Sequence, residues 1–204
     1  MLEKSILDFC KNDIWEDAEK IAVIHNNDCI NFNDLIKNAK KLANIIIDEC
    51  RIIKNTPIAV YMPKNIYTVT ANIASLYSAC PFMNLDIKTP VSRLEKILNN
   101  VKPGIIITES KYSDVFKNSV KKVIYVDKIN FDLITIDDDS IKSRSQNLID
   151  TDPFCIINTS GSTGIPKSVI LSHRGFVDFI KIINDIFKFD KTKIIGSLSP
   201  ATFD

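Results

Sequence analysis

Short apolar runs that read as strands alternate along most of the chain with longer segments whose apolar residues recur every three or four positions. This alternation constrains the fold most, because strands separated by helices pair in parallel through crossovers and need cover on both faces. The runs are "PIAVYM", "FMNL", "GIIIT" and "KKVIYV", with "FDLITI" a further candidate. Between them, one helical stripe takes Ile66, Val69, Ile73, Leu76 and Tyr77, and another takes Val91, Leu94, Ile97, Leu98 and Val101. Upstream, "KIAVIH" and "CINF" flank "NND" and read as a hairpin, since Asn and Asp tolerate turn conformations. Asn33 or Asp34 then caps a helix whose Leu35, Ala39, Leu42, Ala43 and Ile46 share one face. The expected fold class is α/β, with mainly parallel sheets layered with helices.

At 204 residues the chain suits one good core or two small ones. With 26 basic and 25 acidic side chains the net charge is +1, so no large field argues for nucleic acid or an anionic membrane. Nowhere do about 18 consecutive apolar residues occur, so no membrane span is expected. The five cysteines (Cys10, Cys29, Cys50, Cys80 and Cys155) are scattered and form no CxxC pair or metal set. The first twenty residues carry acids among the apolar ones and lack the apolar stretch of a signal peptide. A cytoplasmic protein with reduced thiols is expected.

Over 137–152, "DDDSIKSRSQNLIDTD" loses apolar periodicity and reads as an exposed connection. A strand, "FCIINT", follows, then "TSGSTGIPK", an apolar "SVIL", and a helix with Phe176, Phe179, Ile180, Ile183, Ile186 and Phe187 facing inward. The last run, "IIGSLSPATFD", starts like a strand and stops. A strand that delivers Ser160, Gly161, Ser162, Thr163 and Gly164 into a turn supplies hydroxyl donors and backbone NH groups with no side chain in the way. Lys167 adds a mobile cation that can follow phosphate charge. Residues 161–168 have the length of a Walker A loop. Pro166, however, stands where that loop needs glycine; it has no NH and fixes its own backbone. The bland alternative is a flexible serine- and glycine-rich linker.

"TSGSTGIPK", Thr159 to Lys167, resembles the signature of the adenylate-forming enzymes: acyl-CoA synthetases, luciferases and the adenylation domains of nonribosomal peptide synthetases. "INFNDL", Ile30 to Leu35, and "YSACPFMNLDIKTPVSRL", Tyr77 to Leu94, are similar to two earlier motifs of amino-acid adenylation domains, in the same order. The resemblance implies attack of a carboxylate on the α-phosphate of ATP, giving an acyl-adenylate and pyrophosphate, with magnesium present and a carrier-protein phosphopantetheine thiol as acceptor. It places Thr159, Ser160, Gly161, Ser162, Thr163, Gly164 and Lys167 around the phosphates, Lys167 steadying the loop or the leaving group. No residue is assigned to the metal; its ligand is expected beyond residue 204.

The closing "SPATFD" resembles the family's FDxS motif, in which the aspartate pairs with the substrate's α-ammonium group. By this resemblance Asp204 anchors an amino acid, as in peptide synthetases or ligases that load D-alanine onto a carrier protein. His173, in a family-like "SHRGF", could act on substrate or phosphate, but capping or packing beside the loop is the plainer role. His25 and Asp86 read as turn or packing residues. Asn158 and Ser168 depart from the pattern, standing where the family has an aromatic residue and a glycine; Cys80 and Pro81 depart in the second motif. Residues 1–204 would then be the N-terminal portion of the large AMP-binding domain, without the small C-terminal domain and inactive alone. The competing readings are a fragment of an acyl- or aryl-CoA ligase and a truncated, non-catalytic binding or assembly module.

Overall fold

The computed structural model describes residues 5–10, 18–117, 122–159, 166–199 and 201–202. A short helix, α1 (Ile6–Cys10), precedes a hairpin of β1 (Ile21–His25) and β2 (Asp28–Asn31), closed over Asn26, whose φ of 55° suits an asparagine. Helix α2 (Phe32–Asn44) follows directly and runs on into a π-helical turn, Ile45–Glu49. Its cap is Asn31, whose side chain accepts from the Asp34 backbone NH at 2.7 Å, not Asn33 or Asp34 themselves. The helix starts earlier than its apolar stripe suggests because β2 passes into it without a loop. The expected face is correct: Leu35, Ala39, Leu42, Ala43 and Ile46 are buried.

The remaining elements are β3 (Ile58–Tyr61), α3 (Ile66–Tyr77), β4 (Phe82–Leu85), α4 (Val91–Val101), β5 (Ile105–Thr108), β6 (Lys122–Tyr125), α5 (Asp138–Gln146), β7 (Pro153–Thr159), β8 (Lys167–Ser172) and α6 (His173–Phe187). Among the described residues six strands form one sheet in the order β6-β5-β3-β4-β7-β8, parallel throughout except for the antiparallel pair β7–β8. Alternate residues feed opposite cores. Ile58, Val60, Ile105 and Ile107 pack with Leu42, Ile46, Ala71, Ala74 and Ile141 on one face. Ala59, Tyr61, Met83, Leu85 and Ile106 pack with Leu94, Ile97 and Phe116 on the other. The near-continuous apolar strands are those of a sheet buried on both sides.

Helix α3 starts from a capping box in which Asn65 accepts from the Thr68 NH at 3.0 Å and the Thr68 hydroxyl accepts from the Asn65 NH at 3.3 Å. Its buried face is Thr68, Thr70, Ala71, Ala74, Ser75 and Leu76, while Ile66, Val69, Ile73 and Tyr77 are only half-buried. Small residues occupy the inner stripe because α3 lies against both α2 and the sheet, where bulk would not fit. Helix α4 stops at Lys102, which takes a left-handed φ of 52°, and Gly104 then passes close to Thr56: a Cβ there would meet Thr56 Cγ2 at 2.7 Å.

Other expectations change. "FDLITI" is a 3-10 turn, Phe131–Leu133, followed by extended chain and not a strand. Segment 137–152 holds α5, capped by Asp137 accepting from the Asp139 and Ser140 NH groups at 3.0 Å; one buried residue, Ile141, anchors a helix that lacks an apolar stripe. Helix α6 buries His173 and Val177 and half-buries Phe176, Ile180 and Ile183, but leaves Phe179, Ile186 and Phe187 exposed. "IIGSLS" pairs with no strand, and Ile194, Ile195 and Leu198 are exposed. In both places the apolar pattern is present, but no described element lies opposite it.

Candidate functional site

In a parallel α/β sheet, ligands bind outside the carboxyl ends of the strands, where side chains and loops converge. Here a cleft of about 410 Å³ opens at the ends of β4 and β7. One wall is Asn84, Leu85 and the turn through Asp86, Lys88 and Thr89; another is the first turns of α4, with Pro90, Arg93 and Ile97; Asn158, Thr159 and Thr202 complete it. Asp86 acts as the turn residue expected of it, accepting from the Lys88 backbone NH at 2.9 Å. The Lys88 ammonium and Arg93 guanidinium form no ion pair among the described residues, so the cleft carries two uncommitted cations against one carboxylate.

The hairpin β7–β8 rises from this cleft. Thr159 is the last residue of β7 and pairs in register with Lys167, the first of β8. Thr159 lines the cleft and Lys167 is exposed; Pro166 between β8 and the loop is buried. The rung Thr159–Lys167 therefore closes the foot of a loop whose tip carries the sequence signature. Ser160, Gly161, Ser162, Thr163 and Gly164 lie outside the described residues, as does Asp204. Thr202, two residues before Asp204, lines the same cleft.

The two departures from the motif are partners. Asn158 and Ser168 face each other one rung below Thr159–Lys167, and the Ser168 hydroxyl donates to Asn158 Oδ1 at 2.7 Å. Asn100 of α4 donates to the same hydroxyl at 3.4 Å. Ser168 has no positive φ, so serine there is unstrained. Neither this link nor the placement of Lys88 and Arg93 in the cleft follows from composition. The hairpin register gives the first, and the parallel pairing of β3 with β4, which turns 86–93 back over the sheet end, gives the second.

His173 packs. Ser172 is the α6 cap, accepting from the Gly175 NH at 3.2 Å, and His173 behind it is 2% exposed. Its Nδ1 accepts from the Ile6 NH at 3.4 Å, its ring lies edge-on to Phe154, and burial holds the imidazole below the ordinary histidine value. His25 ends β1 opposite Asp28, away from the cleft. Burial pushes the Cys80 and Cys155 thiols up to about 11, which suits inert core residues. Among the described residues no three or more His, Cys, Asp or Glu side chains are placed to hold a metal ion, and no helix is long and apolar enough to cross a membrane.

Comparison with known proteins agrees with this geometry. The model of the AMP-binding enzyme family matches residues 13–204. The chain is 27% identical over 191 residues to the D-alanine–D-alanyl carrier protein ligase of Staphylococcus epidermidis, covering 94% of this chain and 37% of that protein. It is 24% identical over 191 residues to tyrocidine synthase 1 of Brevibacillus parabrevis, covering 91% of this chain and 17% of that one. Among solved structures, the nonribosomal peptide synthetase FmoA3 superposes with a TM-score of 0.80 over 98% of this chain and 20% of that one, at 18% identity, which is likeness of fold. The chain thus spans well under half the length of each of these relatives. With its strand order, its strand-end cleft and its signature hairpin accounted for, the chain belongs to the AMP-binding enzyme family.

Proposed function

We propose that residues 1–204 are the N-terminal portion of the large domain of an ATP-dependent, AMP-forming ligase that activates an amino acid and passes it to the phosphopantetheine thiol of a carrier protein. The observation that carries this reading is that Thr159, in the wall of the cleft, pairs in register with Lys167. The rung sets Thr159 and Lys167 at the foot of a loop rich in hydroxyls and glycine, and the cleft that Thr159 lines also holds Lys88 and Arg93. That donor set fits a polyphosphate, whose charge grows on the departing pyrophosphate as the carboxylate oxygen displaces it from the α-phosphorus. Magnesium bound with ATP would offset part of the same charge.

In this reading Lys167 holds the leaving group, and Thr159 with the 160–164 loop orients it. Asp204 pairs with the substrate's ammonium, a contact that a fatty acid cannot make. His173 takes no part, since its ring is committed to the fold. In this reading the 204 residues alone do not adenylate; they span 37% and 17% of the lengths of the two relatives.

ATP–pyrophosphate exchange by the full-length protein against a panel of amino and fatty acids tests the reading. Exchange that depends on an amino acid is expected. Exchange with fatty acids alone would remove the role given to Asp204, and no exchange with any acid would favour a non-catalytic module.

A further inference from the structure

The segment after α6 forms no regular element, yet it is tied across the carboxyl ends of β3 and β4 at two points. Lys64, in the turn after β3, donates from Nζ to the carbonyls of Ser197 and of Ser199, the latter at 2.7 Å, and reaches the Ser197 hydroxyl at 3.2 Å. Asn84 of β4 donates from Nδ2 to the Ala201 carbonyl at 3.1 Å. Beyond these ties the chain reaches Thr202, which lines the cleft together with Arg93 and Thr159.

An irregular segment with Leu198 fully exposed has little burial to hold it in place. Its position then depends on the carbonyls being engaged. A single ammonium that takes two carbonyls two residues apart, backed by an amide that takes a third, fixes a strap that apolar packing does not. Lys64 carries no ion pair among the described residues, so its charge faces two carbonyls and one hydroxyl.

We propose that Lys64 and Asn84 are positioning residues for the substrate end of the cleft. They dock residues 197–199, 201 and 202 over the strand ends, and through this strap set the affinity for the acid being activated but not for the nucleotide. The inference rests on the function proposed above, with Asp204 two residues beyond Thr202, and neither residue touches substrate or phosphate. Hydrogen bonds from a charged donor are among the stronger ones, so their loss should be felt at the strap.

The test uses the full-length protein with Lys64→Met, which keeps most of the apolar stem and removes the three donors, Asn84→Leu, and the conservative Lys64→Arg. Chymotryptic cleavage after the exposed Leu198 is expected to speed up at least about tenfold in Lys64→Met, taking ordinary hydrogen-bond strengths. KM for the amino acid should rise by a similar factor, KM for ATP should move less than about twofold, and Lys64→Arg should recover most of both effects. Unchanged cleavage after Leu198 would overturn the docking role, and equal rises in both KM values would overturn the separation of substrate from nucleotide. If Lys64→Met loosens the strap while Asp204→Asn leaves the amino-acid KM unchanged, the anchor role of Asp204 fails, and the substrate part of the inference fails with it.

Discussion

Two residues that break the family's loop pattern hold each other. In the sequence Asn158 and Ser168 look like separate losses, one of an aromatic ring and one of a glycine; in the fold they are a single cross-strand hydrogen bond under the loop. Only the register, seven residues of loop above the rung Thr159–Lys167, reveals it. Replacing each with Ala and both together should give a coupling of about 0.5–1.5 kcal/mol in urea unfolding, and additive losses would remove the pairing. His173 is the other residue whose context decides its role. Its folded-state pKa lies below the ordinary histidine value because burial disfavours the charged ring. The unfolded chain therefore takes up the proton first. Stability from the neutral ring is complete above about pH 6.5 and falls as pH drops from there toward the folded-state value. Asp152 adds a later loss. Burial would raise its carboxyl, but Lys54, the Ile149 NH and Asn55 outweigh that and hold it low, so its contribution is present above about pH 3.9 and goes as pH falls further. His173→Asn, with an acceptor near Nδ1 and no titration, should flatten the pH dependence of unfolding between about pH 7 and 5. A slope equal to that of the unsubstituted protein would mean that His173 is not the group responsible.

Among the elements, the parallel strands were plainest in the sequence, because Ile58–Tyr61 and Ile105–Thr108 are apolar on both faces and have crossover helices between them. The amphipathic stripe of α2 was equally plain. Helix α3 was legible as a helix but not in its rotation. Its large residues mark the flank of the buried face, where Leu76 is buried and Ile73 and Tyr77 are half-buried, while the centre is built of Thr68, Ala71, Ala74 and Ser75. Helix α5 was missed because one anchor, Ile141, and a cap, Asp137, give no period to detect. The close pass of Gly104 beneath Thr56 left no signal either, since a glycine after a proline reads as a helix stop whether or not anything lies over it. Gly104→Ala should cost about 1–3 kcal/mol in denaturant unfolding through the clash with Thr56 Cγ2, and adding Thr56→Ser should return part of it. A neutral Gly104→Ala would show that β5 can shift to make room. Asn31→Ala should cost about 1 kcal/mol, as the cap that stands two or three residues upstream of the expected Asn33 or Asp34, whereas Asn33→Ala should cost much less.

Across the whole molecule, the sheet, its two cores and the helices that cover it set one edge, the carboxyl ends of β4 and β7, as the place where loops and charge meet. Thr159, the first residue of the sequence motif, lies where the topology puts a binding site, and neither could have been inferred from the other. What the sequence did not convey is which apolar faces find a neighbour: the periodicity of α6 is real, yet Phe179, Ile186 and Phe187 are exposed. Periodicity reports the face that wants cover and not the element that supplies it. The same holds for Lys88 and Arg93, ordinary surface cations by composition, which the turn after β4 brings to the cleft. The central assignment is that the β7–β8 hairpin holds the polyphosphate. It is read most directly by the steady-state kinetics of ATP–pyrophosphate exchange in the full-length protein with Lys167→Ala. A fall in kcat/KM for ATP of roughly 10²-fold, with KM for the activated acid little changed, is expected for loss of one preorganised donor to developing charge. Kinetics for ATP indistinguishable from those of the unsubstituted protein would take the hairpin out of the nucleotide site.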